Sequence, residues 1–363
     1  MTIESLSRTR CSDYITWAKQ RPAVRYDLAR SGVPSVDLAP LVPSLDYVLA
    51  QDRHEEGWPP LVERIAGRYG VEAERVVVVH GTSMANHLTC AALLDPDDDA
   101  LVEHPVYDPL AAVPRYLGAR VIPFARPATA GFAPDLGAIR RAVTPRTRLI
   151  VLSDLHNPSG ARLDDAALSG LEALATANDC RVLVDEVYLE FLYARGARTA
   201  ARRSERFVTT RSLTKAYGLD RLRVGWIIAE PALAERMRRL HDLFAAAVSH
   251  PAERLAAVAL AHADALLAPT VARLDAHRAI VEDFVGAQPR LSWTPPAGGT
   301  VGFIRLDGGG VDALVERLVG RHDTIVTPGR FFGAGDCFRI GWGLETDVLE
   351  EALTRVGRAL AEQ

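Results

Sequence analysis

Seven short runs of nearly uninterrupted apolar residues, many of them β-branched, recur between residues 76 and 228. They fall at 76–80, 101–103, 120–124, 149–153, 182–185, 207–210 and 224–228. A strand with one wet face alternates apolar and polar side chains, whereas a strand without alternation is covered on both faces. Helix-like stretches, such as the one expected over 84–94, separate these runs. Together they predict an α/β fold: a mostly parallel sheet with helices covering both faces. Beyond residue 230 the pattern changes. Ala/Leu/Arg-rich segments at 232–247, 252–266 and 269–285 are expected as helices. Two apolar strands follow near 302–306 and 324–326, and 346–361 is again helical. Pro/Gly clusters at 294–299 and 327–329 are expected as loops. A chain of 363 residues has room for about two domains. The expected division is a large domain over 41–245 and a smaller α+β domain over 246–363, which the first 40 residues join.

Composition excludes several classes of partner. A net charge of −4 makes no general electrostatic case for nucleic acid or an anionic membrane. No apolar run approaches the roughly 20 residues a bilayer span needs. The first residues carry no signal-peptide core, so a cytoplasmic address is expected. Cys11, Cys90, Cys180 and Cys337 lie too far apart in sequence for a CxxC pair or a metal knuckle. Cys90 and Cys180 sit among apolar residues and suit small core side chains in a reducing compartment. No metal site is expected.

Residues able to carry chemistry collect just after the proposed strands, where parallel α/β sheets bind ligands. After 76–80 comes Gly81-Thr82-Ser83, a turn into a helix that offers backbone N–H groups to a phosphate, or a plain N-cap. After 101–103 comes Tyr107, an aromatic able to stack on a flat ring or simply to be buried. After 149–153 comes His156-Asn157-Pro-Ser-Gly160, a turn by composition, whose Asn157 amide could donate to a phenolate oxygen. After 182–184 come Asp185 and Tyr188. A carboxylate at the end of a buried strand is unfavourable without a partner, and a protonated pyridine nitrogen would be one. Last comes Ser212-Leu-Thr-Lys215, eight residues before Arg223. Only Lys19 and Lys215 are lysines among 42 lysines and arginines, which argues against a filler charge. An amine between the hydroxyls of Ser212 and Thr214, followed by an arginine, suits a ligand with both an aldehyde and a phosphate. Pyridoxal 5'-phosphate is such a ligand, and a lysine Schiff base is its usual attachment.

In this order the motifs resemble the class I/II aminotransferase family, the fold-type I group of pyridoxal-phosphate enzymes. Asn157-Pro-Ser-Gly160, Asp185-Glu-Val-Tyr188, Ser212-Leu-Thr-Lys215, residues 218–225 and Phe338-Arg339-Ile340 carry the resemblance, which runs over nearly the whole chain. It implies that Lys215 is the Schiff-base lysine and the base at Cα, and that Asp185 pairs with the ring nitrogen. It implies that Asn157 and Tyr188 donate to the ring oxygen and Tyr107 stacks on the ring. Thr82, Ser83, Ser212, Thr214 and Arg223 would form the phosphate cup. Arg339, with a fork suited to carboxylate, would hold the substrate carboxylate, with Gly32 and Asn157 beside it. A homodimer is implied too. One departure stands out: the tyrosine that the family often has shortly before the stretch here reading Gly57-Trp-Pro59 is missing, and Arg53 or His54 are candidates to replace it.

The implied reaction is amino transfer between an L-amino acid and a 2-oxo acid. The same fold and residues also run lyase and cyclase chemistry, of the carbon–sulfur or natural-product-pathway kind. A regulator's sensing domain is a third reading; such proteins carry an added N-terminal winged-helix domain, and the family match begins by about residue 28, leaving no room for one. Trp58, Arg53, His54, Tyr217 and Arg221 are candidates for a side-chain pocket.

Overall fold

A computed structural model describes residues 11–52 and 56–362, so Arg53 and His54 lie outside the described residues. The chain opens with α1 (Asp13–Gln20), β1 (Tyr26–Asp27), α2 (Leu45–Leu49) and α3 (Pro59–Tyr69). There follow β2 (Val76–Val79), α4 (Gly81–Leu93), β3 (Asp99–His104), α5 (Asp108–Leu117), β4 (Arg120–Ala125), α6 (Leu136–Ala142), β5 (Thr147–Ser153), α7 (Asp165–Ala177), β6 (Arg181–Asp185), β7 (Phe207–Ser212) and β8 (Gly225–Ile228). All seven expected strands are present. They form one sheet in the order β2-β8-β7-β6-β5-β3-β4. Only β8 runs against the rest, pairing antiparallel with both β2 and β7.

The absence of alternation has its expected cause. On β6, Val182 and Val184 pack with Leu171 and Leu174 in one core cluster, while Leu183, between them, packs with Val102 and Val151 in another. Both faces are therefore dry, and each such side chain contributes roughly 1.5–3 kcal/mol by burial. Helix α7 shows how a covering layer is built. Asp164 caps it by accepting from the Ala167 N–H. Its buried residues Ala167, Leu171, Leu174 and Ala175 recur at helical spacing and face the sheet. Cys90 and Cys180 are buried in these layers, and burial pushes the Cys90 thiol up to about 12.

The remainder comprises α8 (Pro231–Asp242), α9 (His250–Ala261), α10 (Ala263–Gly286), β9 (Leu291–Trp293), β10 (Val301–Leu306), α11 (Val311–His322), β11 (Thr324–Ile325), β12 (Thr327–Pro328), β13 (Cys337–Gly341) and α12 (Thr346–Ala361). A four-stranded antiparallel sheet runs β12-β13-β10-β9. Two boundaries differ from expectation. The break between the second and third helices falls at His262, where α9 and α10 bend by 70°. Pro269, expected to open a helix, lies inside α10 instead. Residues 327–329, expected as a loop, contribute β12. Its Pro328 is tolerated because β12 is an edge strand. β1 pairs in parallel with β11, Tyr26 opposite Thr324, which brings residues 26–27 against the last third of the chain. Among the described residues no single helix is long and apolar enough to cross a membrane.

Candidate active site

The carboxyl ends of β2, β3, β5, β6 and β7 share one rim of the large sheet with the amino end of β8. A cavity of about 930 Å³ opens on that rim. Eleven of the twelve residues singled out in the sequence line it: Gly32, Thr82, Ser83, Tyr107, Asn157, Asp185, Tyr188, Ser212, Thr214, Lys215 and Arg223. Arg339 is the exception, for it lies fully buried just behind the wall.

At one corner the α4 N-terminus points its free N–H groups and positive dipole end at the cavity. Thr82 Oγ1 donates to Ser212 Oγ at 2.8 Å, and the Thr214 N–H donates to the same oxygen at 3.3 Å. Arg223 adopts a left-handed backbone (φ 55°) and donates through Nη2 to the His80 carbonyl at 3.3 Å. The packing needs two glycines. A Cβ on Gly81 (φ +81°) would fall 2.5 Å from Arg223 Nη2, and one on Gly225 would fall 2.6 Å from Gly81 Cα. Backbone N–H groups, hydroxyls and a guanidinium thus converge, which suits a phosphate.

Lys215 projects from the loop after β7. Its Nζ donates to Ser31 Oγ at 2.8 Å and lies 6.0 Å from the Tyr188 ring centroid. The Gly32 backbone passes close by: a Cβ there would be 3.9 Å from Lys215 Cδ and from the Thr214 carbonyl. At the cavity floor, Thr210 Oγ1 donates to Asn86 Oδ1 at 2.7 Å, and Asn86 Nδ2 donates to Asp185 Oδ2 at 2.8 Å. The Val187 N–H donates to Asp185 Oδ1 at 3.1 Å. Burial dominates these bonds and the Lys215 charge, and pushes the Asp185 carboxyl up to about 6.

Asn157 accepts from Arg339 Nη1 at 2.9 Å, and its own N–H donates to Ser153 Oγ at 3.1 Å. Arg339 Nη2 donates to the Tyr14 hydroxyl at 2.9 Å and to the Ala29 carbonyl at 3.1 Å. The Tyr107 ring meets Tyr14 edge-on, centroids 5.5 Å apart. Burial holds the Tyr107 phenol well above its usual range, so it stays neutral. Asn86, Ser31 and Tyr14 had no signal in the sequence reading. Of the side-chain pocket candidates, Arg221 lines the cavity. Tyr217 is buried and bonded to Glu190, while the Trp58 ring is covered by Arg254 at 4.4 Å.

The family described as aminotransferase class I and II matches residues 54–356. The chain belongs to this family. It is 32% identical over 359 residues to capreomycidine synthase of Streptomyces vinaceus, covering 95% of this chain and 92% of that one. It is also 32% identical over 354 residues to the arginine–pyruvate transaminase AruH of Pseudomonas aeruginosa, covering 91% and 89%. The solved structure of the pyridoxal-phosphate-dependent cyclase OrfR superposes with a TM-score of 0.86 at 27% identity, over 99% and 100% of the two chains. The fold is that of the fold-type I aminotransferases, whose cofactor is pyridoxal 5'-phosphate. This aminotransferase-family site fits that cofactor on its own chemistry. Among the described residues the buried Tyr188 hydroxyl has no hydrogen-bond partner. Such a group is unfavourable unless something completes it. Asp185 is a buried carboxylate whose burial outweighs its hydrogen bonds and the Lys215 charge, so a cationic ring nitrogen would suit it. The Gly81–Gly225 corner keeps space that a side chain would fill.

Proposed function

We propose that the chain exchanges an amino group between an L-amino acid and a 2-oxo acid, with pyridoxal 5'-phosphate held on Lys215. The observation that carries this reading is the placement of Lys215: one amine in one cavity with the Asp185–Asn86–Thr210 chain, the partnerless Tyr188 hydroxyl and the Thr82–Ser212–Arg223 corner. When bound, the cofactor supplies an electron sink for the charge left on the substrate Cα. Asp185 holds a proton on the ring nitrogen by its charge. Asn157 and Tyr188 orient the ring through its oxygen, and Tyr107 covers a face. Thr82, Ser83, Ser212, Thr214 and Arg223 anchor the phosphate, which fixes the ring relative to Lys215. Lys215, with Ser31 Oγ beside its Nζ, would be the base that moves the Cα proton. Arg339 and Asn157 hold the substrate carboxylate, with the Gly32 backbone alongside.

A second reading, amino-acid cyclisation or elimination, draws support from the full-length relatives capreomycidine synthase and OrfR. A panel of amino acids with 2-oxoglutarate or pyruvate as acceptor separates the two. Arginine belongs in it because AruH pairs arginine with pyruvate by name. Amino transfer gives more than one equivalent of 2-oxo acid per cofactor only when acceptor is present. Conversion of the amino acid without acceptor, to a cyclic product or to released ammonia, rejects transfer in favour of the second reading. We further read the chain as a cytoplasmic homodimer with the two-domain division at residues 40 and 245. The exposed apolar side chains of Leu45, Leu49, Leu243 and Phe244 support a covered interface.

A further inference from the structure

Arg339 is held from the far end of the chain. Its Nη2 has three acceptors, the Tyr14 hydroxyl (2.9 Å), the Ala29 carbonyl (3.1 Å) and Thr327 Oγ1 (3.4 Å), and Nη1 donates to Asn157 Oδ1 (2.9 Å). Nε, equally buried, has no partner among the described residues. Tyr14 touches both sides of this wall, as Asn157 and Ala29 do, but among these contacts it is the one supplied by α1 and by a side-chain hydroxyl. It lines the cavity while its oxygen engages the guanidinium behind it. Its ring is locked edge-on against Tyr107 and packs on Phe332 at 5.6 Å and Phe331 at 6.2 Å. The Arg339 guanidinium lies 5.5 Å from the Tyr14 ring centroid and 5.1 Å from that of Phe332.

We propose that Tyr14 is a positioning residue for the substrate carboxylate: its hydroxyl sets the tilt of the Arg339 guanidinium, so that α1 completes the carboxylate site from the N-terminal side. The inference rests on the reading of Arg339 as the carboxylate holder. A guanidinium recognises a carboxylate through a planar fork, and rotation of that plane loses the second hydrogen bond. Asn157 restrains one Nη end and Tyr14 the other, and together they fix the plane. The electrostatics agree. Burial alone would raise the Tyr14 phenol, yet the Arg339 and Lys215 charges outweigh it and draw it below its usual range. The same charge that lowers it is the partner its oxygen accepts from, Arg339 Nη2.

Binding to the cofactor-loaded protein tests this. Dissociation constants are read from the cofactor absorbance for the best amino acid of the panel and for the amine it becomes without its carboxylate. Their ratio is the preference for carboxylate. Tyr14→Phe is expected to cut that ratio roughly ten- to a hundred-fold, the loss of one hydrogen bond to a charged group. Cofactor content and the amine's affinity are expected to stay unchanged. Phe331→Leu, which disturbs the same aromatic packing without a hydroxyl, is expected to leave the ratio within about twofold, as for other small changes away from charged partners. An equal loss for amino acid and amine in Tyr14→Phe, no loss at all, or an equal fall of the ratio in Phe331→Leu would overturn the proposal. Arg339→Lys separates the two layers of the inference. If it collapses the ratio while Tyr14→Phe does not, Tyr14 alone is misassigned. If it leaves the ratio intact, the carboxylate reading of Arg339 fails first.

Discussion

A buried hydroxyl with no partner is the most telling single atom in the site. Removing it by Tyr188→Phe is expected to leave the cofactor-free protein as stable as before or about 1 kcal/mol more stable, because an unsatisfied polar atom leaves the interior. The same change is expected to shrink the gain in Tm on adding pyridoxal phosphate, which differential scanning calorimetry measures. Asp185 makes a pH prediction. Its carboxyl holds its proton more tightly folded, at about 6, than unfolded, near 3.8. That contribution stabilises the cofactor-free fold fully below about pH 4 and is lost as pH rises through 6; at about 1.4 kcal/mol per unit it amounts to roughly 3 kcal/mol. Urea midpoints of the cofactor-free protein should fall over that window, and Asp185→Asn should flatten the fall. Asp185, Lys215 and Asn157 were legible in the sequence because each follows an apolar strand. Asn86 was not, since a polar residue on a helix reads as a solvated face until Asp185 is seen beneath it. Tyr14 was equally hidden: its partner lies 325 residues away.

At the level of elements, the strand pattern was readable because burial on both faces writes itself into composition. β13 was not, because Arg339 interrupts its apolar run, and only the neighbouring β10 and β12 explain how a charged residue sits mid-strand. The entry into α4 makes the sharpest test. Gly81 has φ +81°, and a Cβ there would strike Arg223 Nη2. Gly81→Ala is expected to destabilise the fold by about 1–3 kcal/mol and to weaken the cofactor far more than Ser83→Ala does. Equilibrium dialysis of the cofactor, alongside chemical denaturation, separates the two effects.

Over the whole molecule, the segment at Leu28 and Arg30 is stitched to the small sheet. The Gly341 N–H donates to the Leu28 carbonyl at 2.7 Å, and a Cβ on Gly341 would collide with the Arg30 carbonyl at 1.8 Å. Gly341→Ala should therefore push residues 28–32 off β13, raising KM for amino acids by roughly tenfold or more, as for a misplaced binding group, while cofactor absorbance is retained. Steady-state kinetics beside an absorbance spectrum decides it. No local pattern announces this seam, because a two-residue strand such as β1 carries too little composition to read. The reversed direction of β8 reaches furthest. Had β8 followed its neighbours, its leading end would lie at the opposite edge, out of reach of the ligand. Because it turns back directly beside β7, the loop over 213–224 carries both Lys215 and Arg223 to the cavity, the residues proposed for the two ends of the cofactor. That loop acts as a ruler whose feet are pinned at Ser212 and Gly225. Lengthening it by one residue should break register between anchor and grip.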